Sequence, residues 1–169
     1  MRRTEADKQL DEFLAKFTAE VAALGRKVLE RVRGLVPGAV EMVYDNVYAL
    51  VIGSGPTERA SEAVLSVALY PRWVNLFFLE GVALADPAGL LKGSGKVVRH
   101  VRIVDPAQLE DPALVELIGA AVREAEPAID AGAVRRIVIK QVAERQRPRR
   151  PVVNRGGPGG RGGRSVERS

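Results

Sequence analysis

The chain has 169 residues, 46% of them hydrophobic, which is enough for one domain with a buried core. The absence of cysteine excludes a disulfide framework, a thiol nucleophile and a zinc–thiolate site. The net charge of +5 arises from residues 145–169, which carry eight arginines and one acid, whereas residues 1–144 carry 18 basic and 20 acidic side chains.

We therefore divide the sequence into a slightly acidic domain, residues 1–144, and a basic C-terminal segment, residues 145–169, whose low apolar content predicts disorder. No apolar run approaches the roughly 18 residues that cross a bilayer, and the N-terminus is charged where a signal peptide is apolar. We expect a cytoplasmic protein with no membrane contact.

The first predicted element is helical and extends from Thr4, a suitable N-cap, to about Arg33. Its apolar positions recur at spacings of three and four and share one face: Leu10, Leu14, Phe17, Val21, Leu24 and Val28. Gly25 lies inside this run and could divide it into two helices, since a glycine costs about 1 kcal/mol in a helix interior. Gly34 and Pro37 end the helical pattern.

Extended segments follow. Residues 39–53 read as two extended runs around Asp45 and Asn46, for which a hairpin and a bulged single strand both fit. Residues 63–81 contain two more strands that meet near Pro71 and Arg72. The second of these carries large apolar groups on both faces, which indicates a central strand covered on each side.

Asp86 and Pro87 predict one short helical turn, which ends near Leu91 and leads to a strand over residues 97–104. Asp111 and Pro112 start a further helix that ends near Glu126. Residues 133–142 favour a last strand, although a helix also fits so short a segment. Consecutive strands predict antiparallel pairing. The expected fold class is therefore α+β, a two-layer sandwich of N- and C-terminal helices on one face of a twisted antiparallel sheet of about five or six strands.

One stretch carries a family resemblance, the sequence FFLEGVALADPAGLLKGSGK at residues 77–96 with the VRHVRI that follows, together with Pro37 and Glu41 at the entry to the first strand. The matching positions of this pattern are Gly81, Leu84, Pro87, Leu90, Leu91, Gly93, Gly95 and Arg99. Over roughly residues 11–126 the chain resembles the YdhG-like family of domains of unknown function. It departs from many relatives at YDN, residues 44–46.

This resemblance implies a frataxin-like sandwich, and one branch of the family is linked to iron chaperoning. Frataxin-type iron handling uses carboxylates on the first helix, which makes Asp7, Asp11 and Glu12 the candidate metal ligands here. Lys8 and Lys16 lie among these acids and weaken the field that an iron ion would experience.

The glycine-rich turn at residues 92–96 is the main candidate site. It is not a P-loop, because Val97 stands where that motif requires serine or threonine. Three cations nevertheless lie close together beside glycines that let backbone amides approach an anion. The candidate residues for a small anionic ligand are Glu41, Tyr44, Trp73, Lys92, Gly93, Gly95, Lys96, Arg99 and His100.

No complete set of nucleophile, base and orienting group is visible, so we expect a non-enzymatic module that binds a small ligand or a protein, with no cofactor. Iron binding is one alternative. The other is weak RNA or nucleic-acid binding by the C-terminal segment, whose glycine-separated arginines suit phosphates. The candidate contacts are Arg149, Arg150, Arg155, Arg161 and Arg164. A merely solubilising terminus explains the same composition.

Overall fold

A computed structural model describes residues 3–152 of the chain. The fold class is α+β, with three α-helices and one mixed sheet of six strands in the described part. The helices are α1 (Glu5–Leu14), α2 (Ala19–Leu35) and α3 (Pro112–Arg123). The strands are β1 (Val40–Asp45), β2 (Leu50–Gly55), β3 (Leu65–Leu69), β4 (Val74–Phe78), β5 (Arg99–Ile103) and β6 (Arg136–Val142). Short 3₁₀ turns lie at Ala60–Glu62, Gly81–Ala83 and Pro106–Glu110.

The helical N-terminus begins as predicted but divides at a different place. Thr4 caps α1 in a reciprocal arrangement with Asp7, and Thr18 caps α2. The break lies between Leu14 and Ala19, and not at Gly25, where the sequence allowed one. Gly25 is buried inside α2, where a Cβ atom would lie 2.4 Å from Cδ2 of Leu69 on β3. The glycine lets α2 approach the sheet closely.

The sheet order is β5-β4-β3-β2-β1-β6. The first five strands form an antiparallel meander, and the hairpin of β1 and β2 pairs Asp45 with Leu50. The sixth strand, β6, pairs with β1 in parallel, so the expectation of an all-antiparallel sheet is wrong. The reason is the connection through α3, which carries the chain from β5 at one edge to the opposite edge beside β1.

The two Asp–Pro pairs, which each predicted the start of a helical segment, form different structures. Asp111 caps α3 as predicted, although the helix ends at Arg123, three residues before the expected end. Asp86 does not start the expected helical turn. Its carboxylate instead accepts hydrogen bonds from the backbone N–H groups of Leu90 and Leu91, each at 2.9 Å, and so closes a non-helical loop.

The core joins buried residues of all three helices to alternate residues of the strands. On β4, for example, Val74, Leu76 and Phe78 belong to this core, whereas Asn75 and Phe77 alternate with them. We call the surface formed by the alternating positions the second face of the sheet; it comprises Met42, Tyr44, Ser66, Ala68, Asn75, Phe77, His100 and Arg102.

The packed chain extends beyond the expected boundary at residue 144. Arg149 is only 5% exposed and donates a hydrogen bond of 2.7 Å from Nη2 to Oδ1 of Asp45. The backbone N–H of Arg147 also donates to the carbonyl oxygen of Val47. The part of the segment that precedes residue 153 is therefore attached to the domain. None of the helices within residues 3–152 combines the length and the apolarity needed to cross a membrane.

Candidate ligand-binding site

A concave site lies where the ends of several elements meet. The cavity has a volume of about 280 Å³, close to the lower end of the range for small-molecule pockets. Its walls come from the segment that enters β3, the end of β4, the 3₁₀ turn at Gly81–Ala83 and the C-terminal end of α3. We call it the acidic cleft; its lining residues are Ser61, Glu62, Ala63, Val64, Phe78, Glu80, Ala83, Leu84, Ala121, Glu124, Ala125 and Glu126.

Apolar groups form much of the wall of the acidic cleft. Phe78 is fully buried and Ala121 nearly so, because both also belong to the main core. Val64 and Leu84 pack against the same core and remain half-buried. Residues of the hydrophobic core thus form one wall of the cleft, and no protein atoms fill the space beside them. This favours a ligand with an apolar body.

Four carboxylates belong to the same lining: Glu62, Glu80, Glu124 and Glu126. Within residues 3–152 none of them takes part in an ion pair. Glu62 accepts a hydrogen bond from the hydroxyl of Thr57. The C-terminal end of α3 adds the negative end of a helix dipole. The electrostatic preference of the cleft is therefore for a positive group.

A bare metal ion does not suit this arrangement. Across the part of the chain that the structure describes, no three or more acidic or histidine side chains converge in a way that could hold a metal ion. The carboxylates are spread over three separate segments of the lining. An organic cation, whose charge is carried at one end of an apolar body, fits both the wall and the acids.

The predicted anion site is organised differently from what we expected. The guanidinium of Arg99 donates from Nη1 to the carbonyl oxygens of Gly95 and Val98, at 2.5 and 2.8 Å. Lys92 donates from Nζ to the carbonyl oxygen of Gly89 at 3.3 Å, and its backbone pairs with His100. Two of the three cations thus stabilise their own loop.

The structure gives the glycines of this turn a conformational role. Gly93 has a φ of +123°, a conformation that side chains disfavour. A Cβ atom at Gly95 would still meet only the carbonyl oxygen of Val98, at 3.8 Å. Lys96 is exposed, as is most of the turn. These features build a structured edge loop, and they leave no cluster of free cations around the glycines.

The other predicted ligand residues do not join this turn. Glu41 and Tyr44 lie on β1, four strand spacings or about 19 Å from β5. Glu41 is 1% exposed, and the guanidinium of Arg33 donates two hydrogen bonds of 2.8 Å to its carboxylate. Trp73 directly precedes β4, whereas His100 lies on β5 opposite Phe77, near the other end of β4. The predicted set is therefore distributed across the sheet.

The predicted metal ligands on α1 have other partners. Asp7 belongs to the helix cap, where the backbone N–H of Thr4 holds the pKa of its carboxyl below the ordinary value. Asp11 forms ion pairs with Arg3 and Arg26. Glu12 is exposed on the same helix. These contacts give no support to an iron site on α1.

The predicted nucleic-acid contacts divide into three groups. Arg149 is buried against Asp45, which gives no support to a contact with nucleic acid. Arg150 is exposed, and its Nε donates to the carbonyl oxygen of Lys16 at 3.3 Å. The remaining candidates, Arg155, Arg161 and Arg164, lie outside the described residues.

Comparison with known proteins gives no match: no family model, no curated protein and no solved structure matches this chain. The site must therefore be interpreted from its own chemistry.

Sequence reasoning missed the four acids of the cleft because they come from separate segments. One local signal was available. Glu124 and Glu126 follow the last turn of α3, where the helix dipole disfavours acidic groups and favours basic ones. Acids at an unfavourable helix end are a reason to look for a positively charged partner.

Proposed function

We propose that the domain is a non-enzymatic binding module whose ligand is a small organic cation, such as an amine or a guanidinium on an apolar body. The observation that carries the proposal is the pairing, in one cavity, of a core-like wall with four carboxylates that have no basic partner within residues 3–152. The apolar body would displace water from the wall, and the charge would meet the acids.

The proposal reverses the sign of the ligand expected from the sequence. The cations that favoured an anion, Lys92 and Arg99, donate to backbone carbonyl oxygens of their own loop. An anion at this turn would compete with those hydrogen bonds. In the acidic cleft, a cation meets carboxylates that have no ion-pair partner in the described chain.

We also propose the finer architecture, a two-layer sandwich with the helices on one face of the sheet. Its support is the membership of the core, which combines helix residues with only one of the two alternating sets on each strand. The YdhG-like resemblance and its frataxin-like implication stay predictions.

Phenethylamine is a suitable probe, since it combines one ring with one ammonium group. At about 0.5 kcal/mol for each of its nine non-hydrogen atoms, well below the ceiling of about 1.5 kcal/mol for the best small ligands, phenethylamine would gain about 4.5 kcal/mol, which corresponds to a dissociation constant of about 0.5 mM. Calorimetric titration of the full chain should detect binding of phenethylamine, weaker binding of the neutral 2-phenylethanol and no binding of the anion phenylacetate.

Variants locate the binding. The double variant Glu124→Gln with Glu126→Gln keeps the shape of the rim and removes two charges, so affinity for the amine should fall about 2- to 10-fold. Ala125→Leu should fill part of the cavity and weaken binding of both the amine and the alcohol. Glu12→Gln, on the exposed side of α1, makes the same charge change as a control and should bind like the wild type.

The proposal fails if phenethylamine and phenylacetate bind equally, because the carboxylates then do not select the ligand. It also fails if the Glu12 control weakens binding as much as the Glu124 and Glu126 double variant. That result would mean that the amine responds to net charge and not to the cleft.

A further inference from the structure

Another candidate binding surface lies on the second face of the sheet, where β4 and β5 form one edge. The evidence for it does not depend on the acidic cleft. Aromatic rings form two pairs here, one at the start of β4 and one near its end. The rings of Tyr70 and Trp73 stack with centroids 5.4 Å apart and an interplanar angle of 28°. The rings of Phe77 and His100 lie 5.5 Å apart at an angle of 49°. All four side chains are half-buried, so part of each ring surface remains open.

A cation accompanies the rings. Arg102 is exposed, and its guanidinium lies 4.7 Å from the centroid of the Trp73 ring. The β4–β5 register pairs Arg102 with Asn75 and His100 with Phe77. On β5, the ring of His100 therefore lies two positions before the exposed guanidinium of Arg102, on the same face of the sheet.

Asn75 provides the independent observation. It is 6% exposed, and its Oδ1 atom is buried with no hydrogen-bond partner in the part of the chain that the structure describes. Neighbours across the sheet are Ala68 and Arg102. An unsatisfied buried acceptor costs about 1–3 kcal/mol, and most such groups in native proteins have a partner. A bound group with its own N–H donor would supply that partner once the Asn75 amide turned toward the open side of the sheet.

We infer that this surface binds single-stranded nucleic acid and accommodates at least one unpaired base. A base has the flat ring that stacks on Phe77 and His100, and its edge carries N–H donors for the Asn75 oxygen. Arg102 is placed to meet the adjacent phosphate. Stacking of a base on an aromatic side chain contributes about 1–3 kcal/mol.

The positive charge of the C-terminal segment favours nucleic acid over an uncharged ligand at this surface. Residues 145–169 carry one acid and eight arginines, of which Arg149 is buried against Asp45, and the glycines between several of the others suit a chain that follows phosphates. Such a segment supplies affinity without base contacts. The second face would supply the base contacts that the segment, which has no aromatic residue, lacks.

The experiment uses the full chain and an eight-nucleotide oligoadenylate, as RNA and as DNA. Trp73 is the only tryptophan of the chain, so its fluorescence reports on this surface directly. We expect the oligonucleotide to quench it, with an affinity that falls as salt rises. Anisotropy of a labelled octamer should show that Phe77→Leu and Arg102→Gln each weaken binding about 5-fold or more, whereas Arg123→Gln on α3 weakens it less than 2-fold.

Three results would overturn the inference. The first is no binding of either octamer at low salt. The second is binding that is lost only when Arg155, Arg161 and Arg164 are all changed to glutamine, with Phe77→Leu and Arg102→Gln like the wild type; the C-terminal segment would then act alone. The third is tight binding without any change in Trp73 fluorescence. Thermal unfolding of each variant verifies that it is folded before its affinity is interpreted.

Discussion

Asp45 holds the C-terminal end of the described chain to the domain, and its replacement by asparagine should destabilise the protein severely. Its side chain is 0% exposed, and its carboxylate accepts hydrogen bonds of 2.9 Å from Lys16 Nζ and 2.7 Å from Arg149 Nη2. Arg149 has a side chain that is 3% exposed, so Asp45→Asn would leave a buried guanidinium without its counterion. Breaking a buried ion pair on one side costs about 3–5 kcal/mol.

The lower end of that range applies here, because Arg149 also donates to the carbonyl oxygens of Asn46 and Ala49. A loss of about 3 kcal/mol lowers the melting temperature of a domain of this size by about 6–12 °C. With a typical urea dependence of about 1–3 kcal/mol per molar, the unfolding midpoint falls by about 1–3 M. Urea titration followed by circular dichroism measures this shift.

Two comparisons make the test specific. Glu116→Gln breaks the exposed pair of Glu116 with Arg123 and should cost less than about 1 kcal/mol. Adding Arg149→Met to Asp45→Asn removes the unpaired buried charge and should restore part of the lost stability. The reasoning is refuted if Asp45→Asn is no more destabilising than Glu116→Gln, or if the second substitution adds a further loss.

Further predictions concern two glycines of α2, one turn glycine and acid pH. Gly25→Ala should destabilise by about 1–2 kcal/mol, because the new Cβ meets the buried Leu69, while Gly34→Ala, with nothing within 4 Å, should stabilise by about 0.5–1 kcal/mol; thermal unfolding of both variants measures the difference in sign. Gly38→Ala should lower the yield of folded protein, since φ is +81° and the Cβ would lie 1.9 Å from the carbonyl oxygen of Asp130; equal yields would contradict the geometry. Burial raises the pKa of Asp45, but Gln146, Lys16 and Arg149 outweigh it and hold the pKa below the ordinary value of 3.8. That stability is present above the ordinary pKa and is lost as the pH falls through the lower folded value, so urea midpoints between about pH 5 and pH 2 should fall more steeply for the wild type than for Asp45→Asn.

Local signals in the sequence predicted the elements whose cause is local. Thr4 and Asp111 cap their helices because a short polar side chain reaches the free N–H groups of the first turn. The turn at Asp45 and Asn46 forms the hairpin that was one of two alternatives. The strand in residues 133–142 was also confirmed, as β6. In each case a few neighbouring residues decide the conformation.

Tertiary contacts decided the features that the sequence did not reveal. Gly25 stays helical because Leu69, 44 positions later, fills the space beside it. The direction of β6 depends on which sheet edge α3 leads to, and no residue of β6 encodes that choice locally. Arg149 resembles its neighbours in a basic sequence, yet within residues 145–152 it is the one arginine that pairs with the buried carboxylate of Asp45.

The candidate site was the least predictable part for the same reason. Lys92, Gly95 and Arg99 are close in sequence and in space. The side chains of Lys92 and Arg99 donate hydrogen bonds to backbone carbonyl oxygens of their own loop and do not form an open anion site. The acids of the cleft come from three segments that only the fold brings together. A cavity is a property of how elements meet, so composition along the chain could not locate it.

The most direct test of the account is a nuclear magnetic resonance titration of the ¹⁵N-labelled full chain with phenethylamine. The account predicts that the largest shifts of backbone amide signals occur at residues that line the acidic cleft, among them Ala63, Ala83 and Ala125. The same shifts should be smaller with 2-phenylethanol. Shifts that concentrate at residues 92–100, or that are equal for phenethylamine and phenylacetate, would contradict the claim that the cleft binds an organic cation.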